Sequence, residues 1–409
     1  CQKTMTIDAA KLARALGLAD MPVVHNELCR GQVTAFEAAL TDGMLLHVAC
    51  TQEAPLFREL ADAKGDAAPA LRFTNIRERA GWSSSKADMT PKLAALLAEA
   101  AFEPTPARQT TLTSSGICLV YGAGQATLDA ASEIADRLSV SVLLSDPADA
   151  LPPGVASVPV AKGVIRKATG RLGKFEIEVD DYATVLPSSR RKLEFVLPRN
   201  GARSTCDVII DLSGKSALFA DGARRDGYLR ADPGDPAAVA KAQLKATDLV
   251  GEFEKPMYVT YDAGICTHSR SSKIGCSKCL DVCPTGAITP AGDHVAIDSG
   301  ICGGCGTCAA VCPTGAASYA YPQRGDLLQR AHILLSTYRG AGGERPILLL
   351  HDESHGTPLI DALARYGDGL PANVLPLSLY AITVVGHDTL AACLALGAEQ
   401  VVLLGNPKH

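Results

Sequence analysis

At 409 residues, with 47% hydrophobic and 20% charged residues, the chain is long enough for two to four domains with well-buried cores. A net charge of -5 and 5% aromatics give neither a basic footprint nor many stacking platforms, which argues against a nucleic-acid partner. No apolar run approaches roughly 18 residues and no charged-then-apolar leader is visible, so no membrane span or secretory signal is expected and the cytoplasm is the expected compartment. Because the chain starts at Cys1 and stops at VVLLGNPKH, neither terminus is read as native.

Residues 1–105 alternate between helix and strand patterns. TIDAAKLARALGLAD reads as helical, PVVHNEL as extended, QVTAFEAAL as helical, MLLHVAC as extended and APLFRELADAK as helical, followed by LRFTNIRERAGW and the helix PKLAALLAEAAF. This alternation predicts a small open α/β layer. EPTPARQTTLTSS is a polar, proline-bearing linker.

Residues 112–255 open with GICLVYGAGQATLDAASEIADRLSVSVLLSDP, a strand, glycine turn, helix and strand. Gly122 and Gly124 stand where a dinucleotide-binding turn needs its first two glycines, and Asp146 ends the second strand where a ribose-binding carboxylate would sit. Thr127, however, occupies the third glycine position, and a βαβ unit with no nucleotide explains the pattern equally well. FEIEVDDYATVL, RRKLEFVLP and CDVIIDLSG read as further strands, the last returning to the same sheet. Cys118 and Cys206 lie in apolar strands and read as core residues. PGDPAAVAKAQLKATDLVGEF brings a helix up to the next segment.

Fourteen cysteines are too dilute for a disulfide scaffold, yet eight fall between positions 266 and 312. Cys302, Cys305, Cys308 and Cys312-Pro313 have the spacing C-x2-C-x2-C-x3-C-P. Twenty-nine residues earlier stand Cys276, Cys279 and Cys283-Pro284, and both copies end in VCPTGA. Cys266 completes the first copy if a seven-residue insertion follows it. Zinc modules usually separate their cysteine pairs by about a dozen or more residues. The spacing here matches instead the ferredoxin run in which three thiolates hold one cubane and the fourth holds the other. Gly303, Gly304, Gly306 and Thr307 keep the loop small enough to aim its sulfurs, and proline after the fourth cysteine steers the chain away. The expected assignment is Cys266, Cys276, Cys279 and Cys312 on one 4Fe-4S cluster and Cys302, Cys305, Cys308 and Cys283 on a second. His268, in the insertion, reads as a solvated loop residue. This dicluster domain spans 256–322.

Residues 325–409 repeat helix and strand again: DLLQRAHILLSTYRG, PILLLHD, TPLIDALARYG, ANVLPLSL, DTLAACLALGA and QVVLLG. His351 and His355 follow the first strand and read as surface residues; Cys393 reads as core. The fold class expected for the whole chain is multi-domain α/β, with parallel-sheet, Rossmann-like layers and an inserted ferredoxin-like dicluster domain.

Several stretches resemble the A subunit of heterodisulfide reductase: ELCRG, HVACTQEAPLFREL, FTNIRERAGW, GRLGKFEIEV and the cysteine repeat. The likeness covers most of residues 1–320. It implies an additional iron-sulfur cluster in the N-terminal domain, onto which Cys1, Cys29 and Cys50 carry over, whereas Gly81 stands where the family tends to have its last cysteine. It also implies FAD, although the fuller glycine fingerprint and the second nucleotide-binding half are not found. The C-terminal domain resembles the delta subunit of methyl-viologen-reducing hydrogenase, with LLLHDESHG in place of paired cysteines. The resemblance implies redox partners of the formate dehydrogenase, hydrogenase or heterodisulfide reductase type. The expected function is transfer of single electrons between partner oxidoreductases. The alternatives are a flavin-dependent oxidoreductase subunit with FAD near Gly122 and Gly124, and a non-catalytic assembly factor for a redox metalloenzyme.

Overall fold

The computed structural model describes residues 3–40, 45–65, 69–147, 149–152, 158–219, 225–268 and 275–407. They form a mixed α/β protein with several sheets, divided into two compact units: Cys1–Ala107 with Gly304–His409, and Arg108–Gly303. Among the described residues no helix is long and apolar enough to cross a membrane.

The Arg108–Gly303 unit is built on an eight-stranded sheet. Its parallel part runs in the order Tyr228–Arg230, Val208–Leu212, Ile117–Ala123, Ser139–Asp146 and Val160–Arg171. The strand from CDVIIDLSG therefore does return beside the first one. Lys174–Val185 then folds back antiparallel and carries Phe195–Arg199 and Ala202–Cys206 on its other side.

Alternating side chains of the central strands bury both faces, which explains their near-continuous apolar sequence. Cys118, Val120, Val142, Leu144 and Ile210 face one cluster with Leu128, Ala131, Ala242 and Ala246 from the helices Gly124–Ser132 and Pro236–Thr247. Leu119, Tyr121, Leu143 and Ile209 face the other, filled by Phe175, Ile177, Val179 and Cys206. The longer helix starts sharply because Asp235 accepts the amides of Ala237 and Ala238 ahead of Pro236 at its first position. An antiparallel pair, Gln109–Ser114 with Gly251–Pro256, leads from the linker region to the cysteine segment.

In the other unit, the N-terminal residues form helices Ala9–Leu16, Val33–Ala39, Ala54–Asp62 and Thr90–Ala101 and a short parallel pair, Leu46–Val48 with Leu71–Phe73. PVVHNEL is not a strand: residues 22–28 are irregular, and Val23 is 78% exposed. Arg77–Gly81 winds into a short π-helix. The C-terminal residues form a three-stranded parallel sheet, Val374–Leu379, Ile347–Asp352 and Gln400–Leu404 in that order, with helices Arg324–Gly340, Gly356–Tyr366 and His387–Ala395. Within this unit Arg330 pairs with Glu99 at 2.6 Å, and the buried Lys92 donates to the carbonyl of Pro371 at 3.0 Å.

Candidate metal centre

Two turns of the same sequence, Asp-x-Gly-Ile-Cys, deliver Cys266 and Cys302. Asp262 Oδ1 accepts the amide of Gly264 at 2.8 Å, and Asp298 Oδ1 accepts the amides of Gly300 at 2.8 Å and Ile301 at 3.2 Å. The cysteine amides then close back, from Cys266 to Ala263 O at 3.3 Å and from Cys302 to Asp298 O at 3.0 Å. Aspartate suits this position because its short carboxylate reaches amides two and three residues ahead. The repeat therefore extends upstream of the cysteines, and Cys266 is the structural counterpart of Cys302. The matching pentapeptides were visible in the sequence; the insertion after Cys266 obscured them.

That insertion is pinned at its base. Cys276 N donates to Thr267 O at 3.0 Å and Gly275 N to His268 O at 2.5 Å. A Cβ on Gly275 would lie 2.4 Å from Thr267 O, so this close approach requires glycine. His268 is buried, not solvated: its Nδ1 lies 2.8 Å from the carbonyl of Cys276 and donates to it. A ring in that role ties both ends of the insertion, which spacing alone could not show.

Tyr261 receives the amide of Val295 at 3.1 Å. Burial, then a hydrogen bond to Cys266 and the charges of Cys266 and Cys279, push its phenol up to about 12. The structure thus draws Cys266, Cys276 and Cys279 around one tyrosine and one closed loop. Cys279 lies on the short helix Lys278–Asp281, and Cys308 on its counterpart Thr307–Ala310. In the second copy Thr383 Oγ1 donates to Cys305 O at 2.5 Å, Tyr319 hydroxyl to Gly304 O at 2.9 Å, and Thr307 hydroxyl to Cys305 Sγ at 3.7 Å.

The two CPTGA endings repeat one contact, a threonine hydroxyl beside the cysteine sulfur two residues earlier. Thr285 Oγ1 is 3.5 Å from Cys283 Sγ, and Thr314 Oγ1 is 3.7 Å from Cys312 Sγ. Cys312 Sγ also accepts the amide of Ala317 at 3.4 Å. Burial pushes the Cys312 thiol up, but the amides of Ala317, Thr314 and Gly315 and the Thr314 hydroxyl outweigh it, and the thiol falls below its usual range.

Among the described residues, no three His, Cys, Asp or Glu side chains converge closely enough to hold a metal ion. Thiolates bound to separate irons of a cube stand farther apart than ligands sharing one ion. The donor set, cysteines whose sulfurs meet amides and hydroxyls, fits a cubane.

The glycine turn differs. Gly122, Gly124 and Asp146 do meet at the same end of adjacent parallel strands, with Ala123 paired to Asp146. Thr127, however, fills the space under the turn: it donates to Ala123 O at 2.8 Å, and a Cβ on Gly122 would lie 2.4 Å from its hydroxyl. Asp149 lies against Gly124, 2.3 Å from where a Cβ would stand. A pyrophosphate approaching this backbone would meet a carboxylate of its own sign, so these residues do not fit a dinucleotide.

Cys29 and Cys50, both half-buried, pack against one cluster of Phe36, Val48 and Phe57; Cys1 lies outside the described residues. Gly81 admits Met5, whose Cε would be 2.2 Å from a Cβ there, so a side chain has no room at that position. Sequence reasoning also misplaced His351, which is fully buried, with Nδ1 donating to Asp352 O at 3.0 Å; burial pushes its pKa down. His355 is half-buried at the start of the following helix, whose first amides are accepted by Asp352 Oδ1. Cys118, Cys206 and Cys393 are buried core residues, and burial raises the first two thiols to about 12.

Comparison with known protein families finds a match to the 4Fe-4S dicluster domain over residues 274–316. No curated protein matches the chain. The chain carries a 4Fe-4S dicluster domain of the ferredoxin type, and this domain supports iron-sulfur electron transfer.

Proposed function

We propose that the protein relays single electrons between partner oxidoreductases through two 4Fe-4S clusters. Cys266, Cys276, Cys279 and Cys312 bind one, and Cys302, Cys305, Cys308 and Cys283 the other, as the interleaved spacing requires. The observation that carries this reading is the paired Asp-x-Gly-Ile-Cys turn, which sets Cys266, just ahead of the matched residues 274–316, in the same local structure as Cys302 and so gives each copy four cysteines. The clusters supply one-electron chemistry. The chain's own residues hold the sulfurs and direct amides and threonine hydroxyls at them. No general acid, base or nucleophile is needed. The resemblance to heterodisulfide reductase supports partners of the formate dehydrogenase, hydrogenase or heterodisulfide reductase type.

The test is anaerobic purification with iron, sulfide and flavin quantified in one sample. About eight irons per chain with no flavin support the relay, and about four or fewer overturn it. About twelve irons add a further cluster, for which Cys1, Cys29 and Cys50 are the proposed ligands. Stoichiometric FAD favours the oxidoreductase alternative, despite the filled glycine turn. Clusters that reduce but pass electrons to no acceptor, with partner binding retained, favour the assembly factor.

A further inference from the structure

Three cations of the Arg108–Gly303 unit close on the loops that carry Cys283 and Cys302. Arg225 donates to the carbonyl of Thr285, two residues past Cys283, and at 3.5 Å to that of Ile301, next to Cys302. Lys255, 9% exposed, donates to Gly300 O at 2.9 Å and pairs with Asp226 at 2.6 Å. Arg171 Nε lies 3.7 Å from Asp298 Oδ1 and packs on Gly300, where a Cβ would stand only 2.1 Å from it. Nothing in the cysteine spacing calls for these residues, which come from three distant parts of the chain.

Their charge is only partly offset. Asp226 and Asp298 are 53% and 48% exposed, so water screens them, while the cations they face are largely buried. Arg225 lies against carbonyl oxygens and the Phe219 ring, 4.9 Å from its guanidinium. Among the described residues, the Nε atoms of Arg225 and Arg171 are both buried without a hydrogen-bond partner. Burial pushes the Arg225 guanidinium down, and the neighbouring charges of Cys283 and Asp298 act the other way. Guanidinium nevertheless stays charged throughout the working pH range.

A cubane held by four thiolates is an anion, and reduction adds one more negative charge. A fixed, buried positive charge beside it stabilises the reduced form more than the oxidised form. We infer that Arg225, supported by Lys255 and Arg171, makes the cluster bound by Cys283 and Cys302 the higher-potential member of the pair. An electron given to the domain by a one-electron donor protein then settles on that cluster, the other being reoxidised as it passes the electron on, and departs from there to the acceptor. Arg225 is thus a positioning residue that sets direction. This inference rests on the ligand assignment proposed above.

The test is an EPR-monitored redox titration of the full-length, anaerobically prepared protein, with iron and sulfide counted in each sample. Cys283→Ser, which should remove its own cluster and leave about four irons, identifies by the signal that disappears which midpoint belongs to that cluster. In Arg225→Gln the higher midpoint should fall by at least a tenfold change in the reduction equilibrium, about 59 mV for one electron, and the lower midpoint by less. Arg225→Lys, which keeps the charge, should restore most of that loss. If Arg225→Gln does not hold its iron, Lys255→Gln decides, because it should lower the same midpoint while Arg225→Lys does not. Eight irons with unmoved midpoints, or a shift confined to the lower-potential cluster, would overturn the inference alone. Fewer than about eight irons in the unaltered protein would overturn the ligand assignment, and the inference with it.

Discussion

The two copies of the cysteine repeat make the same local structures in different surroundings. Each starts with an aspartate-capped turn, continues through a four-residue helix and ends with a threonine hydroxyl at a sulfur. At the end of the first copy, Arg225 bonds the Thr285 carbonyl. At the end of the second, Cys312 receives the Ala317 amide instead. The first copy also holds its insertion through His268 and Gly275, for which the second has no counterpart. Short-range sequence is enough to shape a loop around a sulfur, whereas the charge that reaches the sulfur depends on whatever the rest of the fold packs beside it.

The comparison can be broken most sharply at its first residues. If Cys266 and Cys302 are equivalent, Cys266→Ser and Cys302→Ser should each reduce iron from about eight to about four per chain, read by iron and sulfide analysis. Retention of eight irons in Cys266→Ser would end the equivalence. A smaller but still large effect is expected from Gly275→Ala, since its methyl group meets the Thr267 carbonyl oxygen. Overpacking of this kind costs about 1–3 kcal/mol, and thermal unfolding of the loaded protein should show it.

The capping aspartates should differ from each other. Each amide bond to the carboxylate contributes about 1 kcal/mol, and Asp298 accepts two amides where Asp262 accepts one. Asp298→Ala should therefore lower the melting temperature more than Asp262→Ala, and equal effects would mean that the second amide bond contributes nothing. The smallest effects belong to Thr285→Val and Thr314→Val. Losing a hydroxyl from a sulfur should lower the potential of the attached cluster by less than the tenfold step expected at Arg225, and by similar amounts at the two sites. A redox titration in which only one of them moves its cluster would show that the two contacts are not equivalent.

Much of this could be read from the sequence. The strand, turn, helix and strand of residues 117–146 emerge as read, because a run buried on both faces must be apolar throughout and a glycine must break it before the helix. The helices of the C-terminal residues and the strands between them follow their apolar periodicity for the same reason. The extended segment expected at 22–28 fails because an apolar pair suggests a strand without saying whether a neighbour exists to accept its hydrogen bonds. His268 and His351 were misjudged as exposed because a histidine's burial depends on a carbonyl that its own sequence neighbourhood does not announce. The glycine turn has the correct first glycines, but its occupation by Thr127 and Asp149 depends on side-chain placement.

The sequence by itself determined the chemistry of the cysteine segment, since thiol spacing, glycine, proline and the repeated aspartate act over a few residues, where the backbone leaves few choices. Only the tertiary structure decided which charges stand beside those thiols. Arg171, Arg225 and Lys255 lie far from one another along the chain, and electrostatic influence falls off with distance through space, so no local pattern could have brought them to Gly300 and Thr285.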